Sequence, residues 1–144
     1  MSTTTDISTG LAGKGRITRI EKGLVVFAPA NTNYELHLEA PASVHVAHTP
    51  PSHKHVLGIV KVKARKVYSV MSGGNFIQPI LGTPRIIQGR VRSLDAGTLI
   101  VQAGAMFQVE LPTGEDAIDL HNGDIQIGSL VNVVAFPGAA LEVK

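Results

Sequence analysis

The feature that most constrains this chain is that it nearly repeats itself. Gly15-Arg16-Ile17-Thr18-Arg19-Ile20-Glu21-Lys22-Gly23 aligns with Gly89-Arg90-Val91-Arg92-Ser93-Leu94-Asp95-Ala96-Gly97, matching at Gly-Arg, at two apolar positions, at an acid and at the closing Gly. The match continues from Leu24–Ala30 onto Leu99–Ala105 with Thr98 inserted, from Tyr34–Leu38 onto Phe107–Leu111, and from Val60–Ala64 onto Val131–Ala135. A period of this length points to one supersecondary unit used twice, so any fold must accommodate two similar units.

Each unit reads as β-structure. Tyr34, Leu36 and Leu38 alternate with Glu35, His37 and Glu39, and Phe107, Val109 and Leu111 alternate with Gln108 and Glu110; period two is the signature of a half-buried strand. Turn residues punctuate these runs at spacings of a small sandwich or barrel. Glu21-Lys22-Gly23 and Asp95-Ala96-Gly97 read as tight hairpins in which Gly takes positive φ. Only two short stretches, near 42–46 and 115–120, have helical character.

The order of strand, turn, two strands, irregular connection and closing hairpin resembles small OB-like barrels. Residues 15–38 with 56–70, and 89–111 with 123–143, carry the resemblance, as does Asn122-Gly123-Asp124-Ile125-Gln126-Ile127-Gly128-Ser129-Leu130-Val131 at the entry to a late strand. Residues 14–23 and 62–67 are also similar to tandem molybdate-binding barrels, with a His/Pro-rich loop where such a site would place a Ser/Thr-rich segment. These resemblances imply a fold and no ligand. The expected architecture is therefore all-β: two duplicated small OB-like barrel or sandwich units packed together. We divide the chain into a flexible tail (residues 1–14), a first repeat (15–71), a connector (72–88) and a second repeat (89–144). Each repeat has about 56 residues, a size at which core burial is marginal without a neighbour. Phe76, Ile77, Ile80 and Leu81 in the connector are too apolar to stay in water, so we expect it to pack across both repeats or onto another copy.

Composition matters once it is split at the repeat. The whole chain of 144 residues carries +2. Residues 15–70 hold eight Lys and Arg against three Asp and Glu, whereas residues 89–144 hold three against seven. A basic unit is thus joined to an acidic one. Lys61, Lys63 and Arg65 alternate with Val60, Val62 and Ala64, which places the three cations on one strand face. Lys66 breaks the alternation, and Arg16 and Arg19 extend the basic set. Such a face can hold a phosphate backbone, with aromatic side chains stacking on bases. We therefore expect polyanion binding, with single-stranded nucleic acid as the partner, at Lys61, Lys63, Arg65, Arg16 and Arg19. The alternative expectation is a self-associating structural or adaptor subunit whose oppositely charged halves meet head to tail. Aromatics are 4% of residues, which limits stacking, and Tyr34 and Phe107 lie on apolar stripes and read as core.

His45, His48, His53 and His55 crowd into eleven residues. Imidazoles at this density can ligate zinc, nickel or copper. Pro50-Pro51 stiffens the segment and no carboxylate lies among them, so it reads as an exposed loop without metal, these four being the ligands if it held one. With no cysteine, thiolate chemistry and disulfides are excluded. No nucleophile elbow, phosphate-binding loop or zinc-protease motif is present, so the chain reads as non-enzymatic and without cofactor. The polar start lacks a secretory pattern and no apolar run is long enough for a membrane span, which sets the expectation of a cytoplasmic protein with no membrane partner.

Overall fold

Where apolar and polar residues alternate most regularly, the backbone is extended and paired. A computed structural model describes residues 12–47, 55–95, 97–112 and 125–144. Among them are eleven strands: β1 (Gly13–Glu21), β2 (Leu24–Pro29), β3 (Glu35–Leu38), β4 (His55–Ser69), β5 (Phe76–Gln78), β6 (Leu81–Gly82), β7 (Ile86–Asp95), β8 (Thr98–Ala103), β9 (Ala105–Glu110), β10 (Leu130–Ala135) and β11 (Ala140–Val143). One short helix, α1 (Ala42–Ala47), falls on the first of the two stretches with helical character; the second lies outside the described residues. The all-β expectation holds. β1 starts at Gly13, so Gly13 and Lys14, grouped with the tail by composition, are paired strand residues opposite Gly58 and Leu57.

A closed five-stranded barrel organises the C-terminal part. β7, β8 and β9 form an antiparallel meander, β9 runs parallel to β4, and β10 closes the ring by pairing antiparallel with both β4 and β7. Val91, Val101, Phe107 and Val60 are successive register neighbours around this ring, and all four are fully buried. Burying an aromatic side chain such as Phe107 stabilises by roughly 1.5–3 kcal/mol.

A second set of strands is anchored on the same β4 through β1 and β11. β1 and β2 form a hairpin whose turn residues, Lys22 at φ 52° and Gly23 at φ 79°, take the left-handed conformation expected of a tight turn. β2 pairs with β3, and β1 with the first four residues of β4. β11 lies along the other edge of β4, from Gly58 to Lys61. A parallel bridge joins Glu39, just after β3, to Ala140; the Glu39 N–H donates to Ala139 O at 2.9 Å and the Leu141 N–H to Glu39 O at 2.8 Å. Hydrogen bonding therefore runs β4–β1–β2–β3 and returns through β11 to β4. Ile17, Val25, Phe27, Leu36, Leu38, Val56 and Leu141 are buried along this path.

β4 is 15 residues long and contributes to both sets of strands. Its alternation lapses at Gly58-Ile59-Val60, all buried, where it passes from β1 and β11 to β9 and β10. A β-bulge follows, because Ala64 pairs with Ala135 and Lys66 with Val134, leaving Arg65 as the extra residue. That bulge is the physical reason Lys66 breaks the sequence pattern.

Close approach of neighbouring atoms requires glycine at both Gly15 and Gly89. A Cβ on Gly89 would stand 2.2 Å from Gln102 O, and one on Gly15 would stand 2.4 Å from Phe27 Cζ. Both strands also carry a bulge three residues on, with Thr18 and Arg92 as the extra residues.

The connector packs as a strap. β5 pairs with β7 and β6 runs parallel to β3, so the segment touches both strand sets. Ile77 is buried and its N–H donates to Tyr34 Oη at 3.1 Å, whereas Ile80 and Leu81 stay 61% and 58% exposed. Beneath it, Asn132 Nδ2 donates to Gln88 Oε1 at 3.2 Å and Gln88 Nε2 to Gly74 O at 2.9 Å. This polar ladder satisfies two otherwise buried amides, as burial requires.

Candidate polyanion-binding face

The outer face of β4 carries Lys61, Lys63 and Arg65, all exposed, while Val60, Val62 and Ala64 point inward. The Arg65 bulge turns Lys66 and then Tyr68 to the exposed side as well. Lys66 Nζ sits 5.7 Å from the centroid of the Tyr68 ring, within cation–π reach. Tyr68 is 38% exposed.

The neighbouring strands decide how much of this charge is available. β9 lies alongside with Gln108 opposite Lys61 and Glu110 opposite Lys63. From β11, Glu142 accepts a hydrogen bond from Lys61 Nζ at 3.0 Å and another from Lys144 Nζ. Lys144 and Lys61 hold the Glu142 carboxyl below its ordinary pKa. Exposed pairs of this kind contribute about 0–1 kcal/mol to stability, but they do neutralise local field. Lys61 is therefore committed to a carboxylate. Lys63, Arg65 and Lys66 have no ion-pair partner among the described residues.

A shallow cleft of about 340 Å³ borders this end of the strand, lined by Lys63, Arg65, Glu110, Leu111, Pro112 and Phe136. The Phe136 N–H donates to Lys63 O at 2.9 Å, which fixes the aromatic beside the cations, and Phe136 remains 48% exposed. Sequence reasoning passed over this residue because it lies in an irregular Phe-Pro-Gly segment after β10. The available signal was its position, directly after Val131–Ala135, the stretch that aligns with Val60–Ala64.

The other two arginines lie apart. Arg19 donates to Glu21 at 2.8 Å and to Glu35 at 2.9 Å, so two carboxylates occupy its guanidinium. Its own pKa is raised by these bonds, and Arg19 holds Glu21 below the usual carboxylate range. Arg16 is exposed on β1 opposite His55, at the far end of β4 from Arg65. The structure thus brings together Lys61, Lys63 and Arg65, adds Lys66, Tyr68 and Phe136, and leaves Arg16 and Arg19 outside the group.

Of the four clustered histidines, His45 is on α1 and His55 opens β4, while His48 and His53 lie outside the described residues. Among the described residues, no group of three or more His, Asp or Glu is placed to hold a metal ion, and no helix is long and apolar enough to cross a membrane. Phe107 is fully buried, and Tyr34 packs against the core with its hydroxyl bonded to the connector. Comparison with protein-family models, curated proteins and solved structures found no match.

Proposed function

We propose that this chain is a non-enzymatic binding module for a polyanion, single-stranded nucleic acid in particular, built from two OB-like units that exchange a strand. In this reading β1, β2, β3, the first part of β4 and β11 make one unit, and β7, β8, β9, β10 and the second part of β4 make the other. Each would be a five-stranded ring of the same order: a three-strand meander, one parallel neighbour and two antiparallel contacts. The paired glycines Gly15 and Gly89 and the paired bulges at Thr18 and Arg92 support treating them as duplicates.

One observation carries the functional reading. Lys63, Arg65 and Lys66 present three charges without carboxylate partners among the described residues, beside two half-exposed rings, Tyr68 and Phe136. Cations that track a backbone, with aromatic faces for bases, are the elements of sequence-tolerant single-strand binding. Arg16, Arg19 and Lys61, for their part, have a peripheral role or a structural one. Assembly of copies through opposed charge is the weaker reading, because Lys61 and Glu142 already unite the basic and acidic halves within one chain.

The test is anisotropy titration of a short fluorescent oligothymidylate across a salt series. For single strands the slope of log K against log salt is about −0.7 per phosphate contact, so Lys63→Gln/Arg65→Gln/Lys66→Gln should flatten it by about 2. Phe136→Ala should weaken binding by about 1–3 kcal/mol with the salt slope unchanged. Wild-type affinity and slope in the triple variant would refute the proposed face. Chromatography at low and high salt, with and without the oligonucleotide, separates this reading from assembly.

A further inference from the structure

A second set of cations borders a cleft away from the β4 face. A cleft of about 400 Å³ opens where β1 and the end of β2 meet β7, β8 and β9. Lys14 and Arg92 both line it, together with Asn31, Asn75 and Gln102, and among the described residues no Asp or Glu does. Phe27 forms part of its apolar floor.

Each polar group is positioned by a feature of the fold. Lys14 is fixed in β1 by pairing with Leu57, and its carbonyl accepts from the Ala30 N–H at 2.9 Å. Arg92 is the extra residue of the β7 bulge, which re-aims its side chain, and Gln102 Oε1 accepts a hydrogen bond from its guanidinium. Neither cation has a carboxylate partner among the described residues. Two cationic residues bordering one cleft raise its positive potential, which an anion relieves. The amide side chains of Asn31, Asn75 and Gln102 add donors suited to oxygen acceptors.

We infer that this cleft is a binding site for the phosphate group of a small molecule, with Lys14 and Arg92 as its charge partners. The volume exceeds what a bare phosphate needs and falls within the range of small-molecule pockets, leaving room for a sugar or base against the Phe27 side. Because residues from both strand sets line it, an occupant would tie them together and raise the melting temperature. The inference does not rest on polyanion binding by β4.

The test uses the full chain in thermal unfolding, with inorganic phosphate in one arm and uridine 5′-monophosphate in the other, against chloride at matched ionic strength. At ligand concentrations well above Kd, the expected shift is at least about 3 °C in one arm or both. A shift in the phosphate arm alone identifies the free anion as occupant, and a larger shift with the nucleotide identifies an organic phosphate; either supports the site. Lys14→Gln and Arg92→Gln should each remove most of the shift, whereas Lys63→Gln/Arg65→Gln should keep it. No shift in either arm, or an unchanged shift in the Lys14 and Arg92 variants, overturns the inference. Should a variant unfold, amide chemical-shift mapping on the wild type replaces it: perturbations must centre on residues around Lys14 and Arg92, and mapping elsewhere is equally fatal.

Discussion

Shortening Leu141 to Ala tests how the two strand sets depend on each other. Leu141 lies in the last strand of the chain, is 2% exposed, and sits opposite Val60 in the β4 register. Its Cδ1 is so close to the β4 backbone that a Cβ on Gly58 would fall 2.8 Å from it, so the site is filled with little slack. A buried Leu→Ala replacement costs about 2–5 kcal/mol, the cavity contributing alongside the lost transfer free energy. Taking about 3 kcal/mol, and an unfolding entropy near 2.1 cal/mol/K per residue over the whole chain, the melting temperature should fall by about 10 °C. The informative measurement is amide hydrogen exchange. Because β11 pairs with β4 beside β1 and bridges to Glu39, protection should drop first in β1, β2 and β3, more than a hundred residues away in sequence, while β7 to β10 keep theirs. Preferential loss in β7 to β10, or a destabilisation below about 1 kcal/mol, would refute the argument that the C-terminal strand completes the N-terminal set.

Three further outcomes follow from packing and charge. Gly89→Ala places a methyl 2.2 Å from Gln102 O, so chemical denaturation should show a loss of at least about 2 kcal/mol, well beyond the usual effect of a Gly-to-Ala change. Asn132→Leu alone leaves Gln88 Oε1 without its partner and should cost about 1–3 kcal/mol, with part recovered in the Gln88→Leu/Asn132→Leu double variant; purely additive losses would argue against the ladder. Glu142 has its folded pKa depressed by Lys144 and Lys61, so its stabilisation is present above the ordinary value of 4.5 and fades as pH falls through the lower folded value. Glu142→Gln should therefore flatten the decline of melting temperature with acidification below about pH 4.5, and curves that stay parallel would remove the pair from the account.

Much of this could be read along the chain because it is local. Period-two alternation located β3, β9 and the outer face of β4, and the Lys22-Gly23 turn was visible in its residues. Charge partners were not visible, since Lys61 and Glu142 are 81 residues apart and alternation fixes which face a side chain takes without saying which strand lies beside it. The same limit hid the reach of β4. A strand serving two sets shows locally only as a buried triplet, Gly58-Ile59-Val60, which also fits an ordinary core segment. The connector was read correctly at Ile77, whereas the exposure of Ile80 and Leu81 follows from β6 pairing with β3 for only two residues, too short a contact to cover them.

The placement of β11 also imposes an order in time. During synthesis, β1, β2 and β3 leave the ribosome about a hundred residues before Ala140–Val143, yet the edges of β3 and β4 that β11 and its bridge occupy stay open until those last residues arrive. At roughly 5–20 residues per second, the N-terminal strands wait several seconds with unpaired backbone available to any passing strand. The exposed lysines of β4 border that gap, and their mutual repulsion is suited to keeping two nascent copies apart until each chain can close on itself.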